Sequence, residues 1–348
     1  MAGPGPKNSL TDIAGLLVGQ AEDAVARTGV SVILPQMRAV ASVDVRGGGP
    51  GTRETELLRP EAMVPAIDAI CLGGGSVYGL DAASGVVQWL ARHGRGLAVH
   101  TINVPIVPSA ILFDLMNGGD KHWLAGEYGE TPYRRLAMAA CDAASADAVA
   151  LGNAGAGYGA MAGKLKGGVG SASWVEDDGL IVAALVAANP VGSVLTPGNK
   201  GFWAAPFEQA GEYGNLPAPP PREVPASLPK EARIGGHTCI GVVATNAALD
   251  KAALRHVATM AHDGLARSIR PVHTPFDGDT LFSLATANWP DQISGQAEQV
   301  GPGGSLLPLL IARVGSIAAD CVARAVGRAV WQAEPLGALD TARKVALE

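Results

Sequence analysis

Apolar and polar positions follow two periods along this chain, and the elements they predict alternate between strands and helices. Residues 30–34 and 39–45 are rich in β-branched side chains and flank a short polar turn, so they are expected to pair as a hairpin. Residues 46–55, RGGGPGTRET, form a loop. Residues 69–72 make a short apolar strand running into Gly73-Gly74-Gly75-Ser76. Leu80, Ala83, Val87 and Leu90 then fall on one face of a helix over 80–92, and an Ala-rich helix is expected over 134–146. Residues 148–151 enter a second glycine-rich stretch, 152–170. The run 180–188 is wholly apolar, half the length a membrane-spanning helix needs, and reads as a buried strand stopped by Asn189-Pro190.

A break follows. Residues 217–229 hold six prolines, which remove backbone donors and disfavour helix, so this tract is expected to be an extended strap or linker. Gly235-Gly236-His237 leads from it into a strongly β segment, 238–245. Asp250 can cap the next helix, whose apolar face is Leu254, Val257, Ala261 and Leu265. Asp277-Gly278-Asp279 enters a strand over 280–285. In the closing helix Leu310, Val314, Ile317, Cys321 and Ala325 are expected to face inward, and Arg313, Asp320, Arg324 and Arg328 outward.

Composition narrows the function classes. The 348 residues are 48% hydrophobic and 17% charged, which suits a large packed core and excludes disorder. A net charge of −6 leaves no basic footprint for nucleic acid, and 5% aromatic content gives no base-stacking platform. The four cysteines are widely separated and include no C-x-x-C pair, which speaks against a disulfide scaffold or structural zinc. The first residues lack the apolar core of a signal peptide, so a cytoplasmic protein without membrane or nucleic-acid partners is the expectation.

The glycine loops do not fit nucleotide motifs. A G-x-G-x-x-G beginning at Gly73 fails at Tyr78, as does a G-x-S-x-G elbow around Ser76; a phosphate loop ending at Gly163-Lys164 fails at Tyr158 and Leu165. Asp277 and Asp279 point to one side of the chain and could face a cation, but the further oxygen ligands of a calcium loop are missing, and no zinc-ligand spacing occurs among the seven histidines. Thr238 has two readings. It is either an ordinary strand residue or, after a cut behind the glycine pair, a new amino terminus whose own amine could accept the hydroxyl proton.

The ordered strings NSLTDIAGLLVG (8–19), VDVRGGGPGTRET (43–55), LGGGS (72–76), GAG (155–157), LKGG (165–168), ANPVG (188–192), TCIGVVATN (238–246) and DGDTLF (277–282) span nearly the whole chain. In these the chain resembles the P1 family of self-processing peptidases. That group includes the L-aminopeptidase/D-Ala-esterase/amidase, the β-peptidyl aminopeptidases and the nylon-oligomer hydrolases. The resemblance implies an α/β (α+β) fold, a four-layer αββα sandwich of the N-terminal-nucleophile type. It also implies one peptidase domain over 1–348, cut by itself into an α chain 1–237 and a β chain 238–348. His237 stands where the family usually has asparagine or glycine.

By the same resemblance Thr238 is the nucleophile and Asn189 holds the oxyanion. Asp277 and Asp279 are the acidic pair beside the nucleophile, both aspartates as in the nylon-hydrolase branch. Lys164 matches a lysine lying against that pair, with Lys166 of the LKGG string as its competitor, and Tyr78 is a weaker match for a pocket residue. Cys239, the neighbouring nucleophile, points to the opposite face in an extended segment and reads as packing. The implied activity is amide hydrolysis of short peptides or amides, including 6-aminohexanoate oligomers, by a homo-tetramer that needs no metal or organic cofactor. An acyltransferase of the ornithine-acetyltransferase type and a catalytically silent assembly protein are the alternatives.

Overall fold

A computed structural model of the chain describes residues 1–125, 129–198, 201–216, 236–289 and 306–348. The proline tract at 217–229 and the first glycine of the pair before His237 lie outside the described residues. In chain order the strands are β1 (Leu16–Asp23), β2 (Thr28–Pro35), β3 (Val40–Val45), β4 (Thr52–Arg53), β5 (Ile70–Gly73), β6 (Leu97–Val99) and β7 (Ile102–Val104). They continue with β8 (Ser109–Ile111), β9 (Met161–Ala162), β10 (Leu165–Lys166), β11 (Gly168–Val175), β12 (Ile181–Ala188), β13 (Ile240–Thr245) and β14 (Thr280–Ala285). The helices are α1 (Ala82–Arg92), α2 (Tyr133–Asp142), α3 (Lys251–Ser268), α4 (Leu307–Trp331) and α5 (Ala342–Leu347).

Two five-stranded sheets face each other. One has the order β1-β2-β5-β8-β4, the other β11-β12-β13-β14-β3, and each carries a single parallel pair, β5 with β8 and β13 with β14. The apolar run of β12 shows how the layers stack. Val182, Ala184 and Val186 pack toward α3 and α4. Ala183, Leu185 and Ala187 pack with Ile33, Ile70 and Leu72 of the opposite sheet. A strand buried on both faces needs an unbroken apolar sequence, which is what 180–188 supplies. Helices α1 and α2 cover the outer face of the first sheet through Val86, Leu90, Leu136 and Ala140. The result is helix, sheet, sheet, helix, the αββα sandwich expected.

Three local expectations are corrected. Residues 30–34 and 39–45 do not form a hairpin: β2 lies between β1 and β5 in one sheet, and β3 is the edge of the other, paired with β14. All eight residues of β2 are buried, so it takes an interior place, and the chain crosses between sheets directly after it. Its hairpin partner is β1, whose Gln20, Glu22 and Asp23 hide the strand pattern. The glycine-rich stretch 152–170 is not one long loop either. It contains the β9–β10 ribbon and the start of β11, where glycine admits the helix backbone: a Cβ at Gly170 would stand 1.9 Å from the Ala325 carbonyl oxygen of α4.

The third correction concerns α4. Leu310, Val314, Cys321 and Ala325 are buried as expected, but Arg324 is only 2% exposed. Loop residues 212–213 and the amino-terminal segment cover that face. Arg324 donates from Nε to Glu212 Oε2 at 2.9 Å, from Nη1 to the Ser173 carbonyl at 2.9 Å and from Nη2 to Asn8 Oδ1 at 2.8 Å. Burial pushes the Glu212 carboxyl up, yet the hydrogen bond and charge of Arg324 outweigh it and hold the group below the usual glutamate range. Glu212→Ala should therefore cost roughly 3–5 kcal/mol in urea unfolding at neutral pH, because it strands a buried cation. A depressed folded-state pKa makes that contribution complete above the unfolded value and loses it as pH falls, so the gap between variant and parent should narrow below about pH 4. A pH-independent gap would contradict the ion pair's role.

Candidate active site

The register of three strands builds the site. Ala187 faces Ile240 across the antiparallel β12–β13 pair, and Ile240 faces Thr280 across the parallel β13–β14 pair. Continued past the strand ends, this register brings Asn189 beside Thr238 and Asp277 beside His237. The backbone confirms both. The Thr238 N–H donates to the Asn189 carbonyl at 2.8 Å, and the Gly278 N–H donates to the His237 carbonyl at 3.2 Å. Thr238 is 2% exposed, and its hydroxyl donates to the same His237 carbonyl. The Thr238 hydroxyl thus lies at the peptide bond that joins it to His237, and a backbone N–H polarises that carbonyl.

Asn189 is held as a donor. Its Oδ1 accepts the Met161 N–H at 2.8 Å, which fixes which end of the amide carries the nitrogen, and Nδ2 donates to the Phe113 carbonyl at 3.2 Å. Nδ2 has a second hydrogen for another acceptor.

The two aspartates are fully enclosed and fully engaged. Asp277 Oδ1 accepts the Val191 N–H at 3.2 Å, and Oδ2 accepts the Thr274 N–H at 3.0 Å and the Thr274 hydroxyl at 2.6 Å. Asp279 Oδ1 accepts the Cys239 N–H at 2.7 Å, and Oδ2 meets the His273 N–H at 3.2 Å and its Nδ1 at 2.7 Å. Burial, and then the charge of Asp279, raise the Asp277 carboxyl above the ordinary aspartate range against those hydrogen bonds. Thr274 and His273 were not singled out in the sequence. The Thr-x-x-Asp spacing of Thr274 and Asp277 is the one local signal that could have found the former.

A cavity of about 500 Å³ opens beside Asn189 and His237; Thr238, Asp277 and Asp279 do not line it. Phe113, Asp114, Met116 and Asn117 line it from the loop after β8, Met161, Gly163 and Lys164 from the β9–β10 ribbon, and Asn189, Gly236, His237 and Leu339 complete it. Burial pushes the Asp114 carboxyl up to about 6, opposed by the Thr28 hydroxyl and the Gly75 N–H. The two candidate lysines differ. Lys164 is exposed at this cavity. Lys166 is wholly buried, its ammonium donating to the Gly167 and Gly157 carbonyls at 2.8 and 3.2 Å, and burial lowers its pKa to about 7 against the pull of Asp114. Neither lysine contacts Asp277 or Asp279, whose oxygens are occupied by backbone N–H groups, Thr274 and His273. Tyr78 is 40% exposed on a 3₁₀ turn and does not line the cavity.

Among the described residues no group of three or more His, Cys, Asp or Glu side chains could hold a metal ion, and no helix is long and apolar enough to cross a membrane. The αββα sandwich is that of the N-terminal-nucleophile type of hydrolase fold. The chain belongs to peptidase family S58, which it matches over residues 8–343. It is 43% identical over 351 residues to an uncharacterized aminopeptidase of Mycobacterium tuberculosis, covering 97% of each chain. It is 30% identical over 284 residues to a 6-aminohexanoate-oligomer endohydrolase of Paenarthrobacter ureafaciens, covering 79% of this chain and 74% of that one. Among solved structures, a β-aminopeptidase of Burkholderia sp. superposes with a TM-score of 0.71 at 22% identity over 99% of this chain and 93% of that chain. The L-aminopeptidase D-Ala-esterase/amidase of Ochrobactrum anthropi, described as a variant of the Ntn hydrolase fold, gives 0.70 at 23% identity over 97% and 90%. This protein is therefore a member of a peptide-hydrolase family.

Cys239 packs in the core against the helices, and burial, with Asp279 and Asp277 adding to it, drives its thiol well above the ordinary range. Cys71, Cys141 and Cys321 are likewise free and buried. Ellman's reagent should therefore leave the folded protein unlabelled and titrate all four thiols in denaturant, and Cys239→Ala should retain activity. Rapid labelling of the native protein at Cys239 would contradict this placement.

Proposed function

We propose that the chain cuts itself between His237 and Thr238 and then works as a threonine amide hydrolase, an aminopeptidase or amidase on short peptides and amides. The observation that carries this reading is the packing of the Thr238 hydroxyl against the His237 carbonyl, with Gly278 N–H on the same oxygen. In the self-cleavage the hydroxyl oxygen attacks the His237 carbonyl carbon, the acyl group passes from nitrogen to oxygen, and water hydrolyses the ester. Thr238 is left with a free α-amine. The products are an α chain 1–237 and a β chain 238–348 of one domain.

In turnover that amine, with an unperturbed pKa near ~8, takes the Thr238 hydroxyl proton as the oxygen attacks a substrate carbonyl. Nδ2 of Asn189 donates its second hydrogen to the developing oxyanion, an interaction worth roughly 3 kcal/mol in related sites. Asp277 and Asp279 orient the amine from the neighbouring strand and supply the charge that steadies it when protonated. The leaving amine departs with that proton, and water releases the acyl group. Of the two lysines, Lys164 reaches the cavity, so we assign it the charge beside the acyl-binding site and Lys166 a structural part. The largely apolar cavity with one buried carboxylate and one exposed ammonium suits a short amide chain with charged ends, such as a peptide or a linear 6-aminohexanoate oligomer.

Denaturing mass spectrometry tests the first step. The purified protein should give two chains, the smaller beginning at Thr238, while Thr238→Ala stays intact. A single wild-type chain after prolonged incubation at neutral pH would overturn the reading. Asn189→Ala should lower kcat on an amino-acid p-nitroanilide by roughly a hundredfold or more with KM little changed. Lys164→Ala should impair cleavage and turnover at unchanged stability, and Lys166→Ala should lower stability first; the reverse pattern would exchange their roles. Transfer of the acyl group to an added amine in place of water would mark an acyltransferase.

A further inference from the structure

Asp279 is held from behind by a histidine that the scheme above does not use. Both the backbone N–H and the ring Nδ1 of His273 meet Asp279 Oδ2, at 3.2 and 2.7 Å, while Oδ1 of the same carboxylate accepts the Cys239 N–H at 2.7 Å. A single line of hydrogen bonds therefore runs from His273 through Asp279 to the residue that follows Thr238. The Asp279 side chain is 1% exposed and that of His273 is 18% exposed. His273 also sits at φ +54, a left-handed backbone that a ring-bearing residue seldom adopts without a surrounding structure to hold it.

The ring's other side is built as carefully. His262 of α3 is completely buried and meets His273 edge-on, with ring centroids 4.8 Å apart. His262 Nε2 lies 3.1 Å from the Asp44 carbonyl oxygen, so in its neutral form it donates there. Burial lowers its pKa to about 4; the Asp44 carbonyl and carboxylate oppose this, and the charges of His273 and Arg46 add to it. Arg46 is itself paired to Asp44 at 2.8 Å. His273 thus stands between His262, itself beside the Asp44–Arg46 pair, and the Asp279 carboxylate.

We propose that His273 is a positioning residue for the Thr238 chemistry: as an Nδ1–H donor it fixes the Asp279 carboxylate, and through it the start of β13 and the negative charge beside the Thr238 amine. The proposal rests on the hydrolase reading above and adds a residue to it. Removing the ring donor leaves Oδ2 with the His273 backbone N–H alone and its charge less dispersed, so the Thr238 ammonium is held more tightly and the amine must be deprotonated at higher pH.

The test compares the full chain with His273→Ala and His273→Asn, since an asparagine amide can donate from near the Nδ1 position. Self-cleavage is followed by denaturing mass spectrometry, kcat and KM on an amino-acid p-nitroanilide across pH, and Tm by calorimetry. His273→Ala should slow both reactions about tenfold to a hundredfold at similar KM, and move the acid limb of kcat/KM to higher pH. His273→Asn should recover most of the rate and the limb. Asp279→Asn should lower kcat too, and its effect should not add to that of His273→Ala. If His273→Ala does not fold, His273→Asn against Asp279→Asn carries the comparison. Wild-type kcat and pH profile in His273→Ala, equal losses in both His273 variants together with a lowered Tm, or additive effects with Asp279→Asn would each overturn the proposal while leaving the hydrolase reading intact. An uncut, inactive wild type would instead remove that reading.

Discussion

The site depends on the register of one sheet at one end. Three strands, β12, β13 and β14, finish or start there, joined by one antiparallel and one parallel pairing, and each lies in an apolar layer on both faces. A slip of one residue would turn every buried side chain of a strand to the wrong layer, so the core itself locks the pairing. With the pairing locked, Asn189, Thr238, Asp277 and Asp279 have no freedom to separate. Chemistry that needs groups placed to within about half an ångström is well served by strand ends of this kind.

Burial then sets the charges. Asp277 and Asp279 stand close together out of water, which by itself would force one to neutralise. The six donor contacts their side chains receive, from Cys239, Val191, Thr274 and His273, oppose that. The same logic separates the lysines. Lys166, enclosed with only carbonyl partners, is driven toward neutrality, whereas Lys164 lies exposed at the cavity. Cys239, one residue from Thr238, is silenced by the apolar layer it enters.

Much of this was legible in the sequence, for identifiable reasons. The apolar runs at 180–188 and 240–245 announced central strands, and Asp250 capped α3 as its position suggested, accepting the Ala253 N–H at 2.8 Å. Strings such as ANPVG (188–192) and DGDTLF (277–282) placed Asn189, Asp277 and Asp279 in a family pattern, and the register brings them to one end of the sheet. What was not legible depended on long-range pairing. No local pattern says that β2 and β3 part company into different sheets, that an arginine in α4 will be covered by Glu212, or that glycines 168 and 170 mark a strand under a helix. His273 and Gly278 were hidden for a further reason: one acts by its ring behind a carboxylate and the other by its backbone, and neither leaves a side-chain motif at the nucleophile.

The central claim is that Thr238, as an amino terminus, carries the acyl group during turnover. The most direct measurement is to quench the cleaved enzyme within the first turnovers of a slowly released ester or amide, and to locate the added acyl mass by peptide sequencing in the mass spectrometer. The account predicts that mass on the side-chain oxygen of Thr238, at the first position of the smaller chain, disappearing in step with product release. An acyl group found on Cys239 or on any other residue would contradict it.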